Sequence, residues 1–216
     1  GQTAAQNAVA RVLEVPREKV RIHSMLLGGG FGRKSETDVI VQAALLSKEV
    51  GAPVKLIWTR EEDMLQGRYH PTTQCKLTGA MDDEGNLTAL HVRISGQSIL
   101  AAVRPEVMQG GKDPVVFQGL LLEGPEGHFG YTVPNLLVDH AMRNPPVPPG
   151  FWRGVNLNQN AVYVECFLDE LAHAAGVDPL TFRRKLMKNH PKHLATLEAV
   201  AKGIGWEKPA PAGVHR

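Results

Sequence analysis

The sequence predicts an α+β fold, a mixed sheet with packed helices. Three observations carry that prediction. Strand-like runs alternate with segments of helical periodicity, the last quarter is helical throughout, and two glycine-bearing turns each lead into a helix.

In chain order, Ala4, Ala8, Val9, Val12 and Leu13 recur at helical spacing until Pro16 ends the run. Val20–Leu27 reads as a strand with Val20, Ile22 and Leu26 on one face, and it runs directly into Gly28-Gly29-Gly30-Phe31-Gly32-Arg33-Lys34. Ser35 and Asp38 have the spacing of a capping box. Val39, Ala43, Leu46 and Val50 form the stripe of the helix behind it, which Gly51-Ala52-Pro53 stops. Val54–Thr59 has strand composition and Arg60–Leu65 that of a helical turn. Thr72–Met81 and Leu87–Ser95 flank the polar turn 82–86 as a hairpin.

From Gly96 to Gly130 the periodicity fails. So long a stretch inside a domain reads as a functional loop or as a surface that a partner covers. Leu136–Met142 is strand-like, and the Pro-rich 144–150 is a stiff extended connector into Phe151-Trp152-Arg153-Gly154. Gln159–Ala175 carries Val162, Cys166, Leu168, Leu171 and Ala172 at helical spacing. Asp178-Pro179 supplies an N-cap and a first-turn proline, and Leu194–Lys202 is the last helix. Residues 1–155 therefore form a sheet-rich portion with both glycine turns, and residues 156–206 a helical portion.

Composition excludes several classes of function. Lys+Arg 24 against Asp+Glu 22 leaves +2, with no basic field for nucleic acid. The longest apolar runs, such as Val39–Leu46, fall far short of the roughly 20 residues of a membrane span. The first residues show no basic-then-apolar signal peptide. Cys75 and Cys166 are too far apart for a disulfide framework, a zinc ribbon or a protein-bound iron–sulfur cluster, and both read as buried small apolar groups.

Two turns stand out chemically. Glycines let the backbone of 28–32 bend tightly and offer bare N–H groups, a helix comes next, and Arg33 and Lys34 add charge, which is the makeup of an anion cradle. The spacing fits neither a Walker loop, since Arg33 separates Gly32 from Lys34-Ser35, nor G-x-G-x-x-G, which ends on Arg33 or Ser35. The bland alternative is a tight turn whose cations face water. In the second turn, prolines and glycines frame Phe151-Trp152-Arg153, a rigid mount for an arginine that grips an oxo or phosphate group, with Gln159 and Asn160 as further amides. The alternative there is a packing turn with Arg153 paired to Glu165. His190 and His193 read as a solvated helix-end pair, and Glu165, Asp169 and Glu170 as a solvated face with charge partners.

Taken in order, these segments resemble the large molybdenum-binding subunit of the xanthine oxidase/aldehyde oxidase family. Gly28–Lys34 is similar to its GGGFGxK loop. Thr59-Arg60-Glu61-Glu62-Asp63-Met64 and Gly67-Arg68-Tyr69-His70-Pro71 are similar to the stretch after that loop, and Tyr131-Thr132-Val133-Pro134-Asn135 to its Y-x-I/V-P-N step. Phe151-Trp152-Arg153-Gly154 resembles its arginine segment and Glu165–Ala172 its E-x-x-x-D-E-L-A helix. The branch it resembles most is the isoquinoline 1-oxidoreductase beta-subunit type.

The resemblance implies the first half of a molybdenum cofactor-binding domain and hydroxylation of N-heterocycles or aldehydes with water as the oxygen source. It implies a molybdopterin cofactor in its cytosine dinucleotide form, whose pterin supplies the sulfur ligands, so no residue here is a metal ligand. Carried over residue by residue, Gly29, Gly30, Phe31, Gly32 and Arg33 bind the cofactor, as do Arg153, Gly154 and Gln159. The implied partners are the remainder of the large subunit, a small [2Fe–2S] subunit that holds the iron–sulfur clusters, and a cytochrome c electron acceptor. The compartment, bacterial cytoplasm or periplasm, stays open.

The chain also departs from the pattern. The family's catalytic glutamate belongs to a G-x-G-E segment that does not occur here, so no catalytic residue is assigned. Ser35 replaces the acidic residue of xanthine enzymes, and Gly119–Glu123 offers no substrate-orienting arginine, which argues against purines. The expectation is a segment that binds little cofactor alone and is inactive by itself. The alternatives from other classes are a non-catalytic phosphate- or nucleotide-binding module and a protein-interaction module that docks through 96–130.

Overall fold

A computed structural model describes residues 1–108, 110–123 and 128–214. They form two compact units, one of residues 1–71 and 146–155 and the other of 72–145 and 156–216.

The first unit opens with α1 (Gln2–Leu13), which ends on Glu14 in the left-handed conformation. Helix α2 (Asp38–Val50) stops at Gly51, also left-handed at φ 65°, and α3 (Arg60–Gln66) is capped by the Thr59 side chain, which accepts from the Glu62 N–H. Two predictions fail here. Residues 20–27 and 54–59 join no ladder among the described residues, because strand composition forms a strand only beside a second backbone. The capping box does not form either. Thr37 precedes α2 without a side-chain cap, both Asp38 carboxylate oxygens take Arg33 at 2.8 Å, and the Ser35 hydroxyl donates to the Gly32 carbonyl.

The second unit holds the sheet, in order β1 (Thr73–Met81), β2 (Leu87–Gly96), β3 (Asn135–Met142). β1 and β2 pair antiparallel around the predicted turn, where Asp82 accepts from the Glu84 and Asn86 N–H groups and Gly85 takes φ 74°. β3 lies parallel to β2, so the sheet is mixed, as the fold class requires. The central strand buries Leu87, Leu90, Val92 and Ile94. Helix α5 (Leu157–Ala174) supplies Val164, Leu168 and Leu171 to the same core, and a Cβ on Gly79 of β1 would meet Leu171 at 2.9 Å.

The buried face of α5 is Asn160, Val164, Leu168, Leu171 and Ala172. Val162 and Cys166 point outward, contrary to the predicted stripe, because the polar Asn160 hides the true phase. Cys75 is half-buried, and burial pushes its thiol up to about 11. The aperiodic 96–130 stretch includes α4 (Ile99–Val103) and contributes Ile99, Leu100, Val116 and Leu120 to the buried set. It is organised by Asp113, a buried carboxylate that accepts from the Ser98 hydroxyl and the Leu100 and Val115 N–H groups. Helices α6 (Pro179–Leu186) and α7 (Pro191–Ile204) complete the unit, and Asp178 caps α6 by accepting from the Thr181 N–H.

Candidate functional site

Both chemically marked turns lie in the first unit, and they touch. The Arg153 N–H donates to the Phe31 carbonyl at 3.0 Å, and the Arg153 guanidinium lies 5.8 Å from the Phe31 ring centroid. The approach is close enough that a Cβ on Gly32 would sit 2.2 Å from the Phe151 carbonyl oxygen. Only a glycine allows that contact.

The turns are strained where they meet. Phe31 has φ 50°, Gly29 φ 118° and Gly32 φ 88° in the first turn. In the second, Gly154 has φ 82° and the β-branched Val155 φ 50°. Such conformations in non-glycine residues cost about 1–3 kcal/mol each and persist where the surroundings impose them. The consequence is a row of open donors. Among the described residues, the N–H groups of Gly29, Gly30, Phe31 and Gly32 have no acceptor in the chain, while Lys34 and Ser35 turn back to Gly30 and Gly32. Bare N–H groups on a fixed loop, beside a guanidinium held over an aromatic face, suit an electron-rich oxygen.

A third segment, which sequence reasoning did not place at the site, braces the second turn. Tyr69 and Pro149 form an isolated parallel bridge, with the Tyr69 N–H donating to Pro148 and the Gly150 N–H to Tyr69. The His70 ring stacks on Trp152 at 5.1 Å between centroids and 13° between planes. The signal available in sequence was Pro148-Pro149, which prescribes extended backbone at a sheet edge without naming its partner.

The other assigned residues divide. Arg33 commits its guanidinium to Asp38 and lies 5.6 Å from the Trp58 ring centroid. Burial works to raise the Asp38 carboxyl, and the Arg33 hydrogen bonds overcome it and hold the group below the usual carboxylate range. Gln159 belongs to the second unit, where its amide donates to Asn156 at 2.7 Å, and Asn160 is buried, donating to the Val116 and Gln118 carbonyls.

Glu165 does not pair with Arg153. It accepts from Tyr131 at 2.8 Å and from Arg183 at 3.0 Å, and Arg183 also meets Asp169 at 2.6 Å. Burial would lower the Arg183 pKa, but the hydrogen bonds to Asp169 and Glu165 raise it beyond its ordinary value, while burial and then the Glu165 charge push the Tyr131 phenol up. This saturated network ties α5 to α6. The His190 and His193 rings meet edge to face at 5.9 Å, and no group of three or more His, Cys, Asp or Glu among the described residues is placed to hold a metal. No helix among the described residues is long and apolar enough to cross a membrane.

Comparison with known proteins gives this geometry a family context. Residues 1–187 match the family model described as the molybdopterin cofactor-binding domain. The chain is 27% identical to isoquinoline 1-oxidoreductase subunit beta of Brevundimonas diminuta, over 95% of its own length and 26% of that relative's. It is 33% identical to the aldehyde oxidoreductase molybdenum-binding subunit PaoC of Escherichia coli, over 81% of this chain and 22% of the relative. In the crystal structure of quinoline 2-oxidoreductase from Pseudomonas putida 86 the same fold recurs with a TM-score of 0.73 at 21% identity, covering 95% of this chain and 27% of that one. The chain thus spans about a quarter of the length of these relatives.

Proposed function

Because the chain belongs to the molybdopterin cofactor-binding domain family, we propose that it is a segment of a molybdenum hydroxylase large subunit. It helps to hold a molybdopterin cofactor, in the cytosine dinucleotide form, for oxidative hydroxylation of N-heterocycles or aldehydes. The observation that carries this reading is the meeting of the two turns, the Arg153 N–H on the Phe31 carbonyl beside the open donors of 29–32.

These residues fit such a group. Its oxo and pterin acceptors match a donor set made of main-chain N–H groups, and the positive-φ glycines keep side chains away from that face. When bound, the molybdenum–pterin group supplies the two-electron oxidation of the substrate carbon. The chain's own contribution is preorganisation. The N–H groups of Gly29–Gly32 are fixed before the ligand arrives, and donors so fixed are worth about 3 kcal/mol each where negative charge develops. Arg153 adds its cation at that edge, with its backbone pinned to Phe31. The stack of His70 on Trp152 and the Tyr69–Pro149 bridge keep the arginine turn from relaxing. The partners proposed with this reading are the remainder of the large subunit, a small [2Fe–2S] subunit and a cytochrome c acceptor.

The test compares the 216-residue chain with the intact subunit, both purified from a host that makes the cofactor. The intact subunit is expected to carry molybdenum and pterin and to oxidise an N-heterocycle or aldehyde with an artificial electron acceptor, whereas the chain alone carries little and turns over nothing. Thermal stabilisation of the intact subunit by pyrophosphate or nucleotides, with no molybdenum or pterin in it, would replace this reading by a phosphate-binding one.

A further inference from the structure

The first unit has almost no core of its own. Among the described residues its buried apolar side chains are Ala5, Val9 and the two prolines Pro71 and Pro149. Its apolar residues stand in the open instead, with Leu26 fully exposed, Met25 79% and Ile57 73% exposed. Helix α2 has no buried residue, and its predicted stripe shows Leu46 and Val50 exposed. A unit of this size is stable only when it buries most of the surface its unfolded chain exposes. This one needs more polypeptide.

The backbone says what kind. Residues 20–27 and 54–59 have strand composition, yet the N–H groups of 21–27 and 54–58 find no acceptor among the described residues. Val20 is already extended at φ −100° and ψ 120°. Thr59 is likewise extended at φ −67° and ψ 168°, so one end of each run is marked as extended. Apolar runs of strand composition whose N–H groups lack acceptors are templates for added strands.

Resting on the reading of this chain as a subunit segment, we propose that residues 20–27 and 54–59 are strands of a sheet completed by polypeptide of the same subunit outside this segment. That polypeptide pairs with their backbones and covers Leu26, Ile57 and the α2 stripe. The relatives are about four times as long as the matched stretch, which supplies the material. Residues 20–27 lead straight into the glycine loop, so strand addition would anchor the stem of a loop whose turn is already held by Arg153.

Hydrogen exchange read by mass spectrometry tests this on the intact subunit and on the 216-residue chain. Peptides over 20–27 and 54–59 are expected to exchange at least a hundredfold more slowly in the intact subunit. Equal exchange in the two overturns the inference, and so does protection of these peptides in a homodimer of the chain alone. Leu26→Asp with Ile57→Asp, at positions already exposed, should leave the circular dichroism of the chain unchanged. In the intact subunit the same pair should speed exchange over 20–27 and 54–59 at least tenfold, and unchanged protection there overturns the inference. Protected strands in a subunit that carries no pterin would uphold it while removing the proposed function. Pterin bound beside freely exchanging strands would do the reverse.

Discussion

Arg153 and Phe31 are joined twice, by a 3.0 Å hydrogen bond from the arginine N–H to the phenylalanine carbonyl and by the guanidinium lying 5.8 Å from the aromatic ring centroid. The backbone bond survives any substitution at 153 except proline, so the position of the turn and the charge it presents can be varied separately.

Gly32 and Gly30 should therefore respond differently to alanine. A Cβ at 32 collides with the Phe151 carbonyl oxygen at 2.2 Å and requires φ 88°, whereas one at 30 finds only the Lys34 side chain at 3.5 Å. Gly32→Ala is expected to part the turns, destabilise the intact subunit by at least 2 kcal/mol, roughly, and empty it of pterin. Gly30→Ala should keep the melting temperature and lose pterin only in so far as the new methyl stands in the ligand's way. Equal pterin content in Gly32→Ala and wild type would be decisive against the site.

Removing the Arg153 charge is a cleaner cut. Arg153→Ala keeps the N–H to Phe31 and loses one charge-assisted contact, worth about 1.5–3 kcal/mol. Pterin retention under dialysis should fall by roughly tenfold or more, with an unchanged circular dichroism spectrum.

The Arg183 network predicts a structural effect with no chemistry in it. Its side chain is 10% exposed, whereas those of Glu165 and Asp169 are 46% and 57% exposed, so the loss is smaller than for a wholly buried pair. Arg183→Ala should cost about 2–3 kcal/mol in urea unfolding of the second unit. Tyr131→Phe, which removes only one donor from the same carboxylate, should cost about 1 kcal/mol.

Asp178 gives the pH dependence. Burial tends to raise its carboxyl, but the Thr181 N–H and the Trp206 indole N–H hold it below the ordinary carboxylate value. A depressed folded-state pKa stabilises above the unfolded value, near 3.9, and the contribution is lost as pH falls through the lower folded one. Asp178→Ala should therefore cost about 1 kcal/mol at neutral pH and converge with wild type in acid. A constant gap down to about pH 2 would contradict the capping role.

The two cysteines should label in sequence. Cys166 is exposed on α5, and Cys75 is half-buried with its thiol pushed up to about 11. In the 216-residue chain at pH 8, a maleimide should modify one thiol quickly, and Cys166→Ser should abolish that phase.

Features set by neighbouring residues could be read without any coordinates. Asp178-Pro179 begins a helix, Gly51 ends one, and Asp82–Asn86 turns a hairpin, because in each a few adjacent atoms settle the conformation. The two turns were legible as constrained backbone for the same reason, since glycine and proline limit the backbone wherever they stand. Features that depend on a distant partner emerged only on folding. Glu165 took Arg183 instead of Arg153, and Asn160 rather than Val162 faced the core. Residues 20–27 and 54–59 show the limit most clearly. Their composition carries the capacity to pair, but a strand exists only when a second backbone lies alongside to accept its hydrogen bonds.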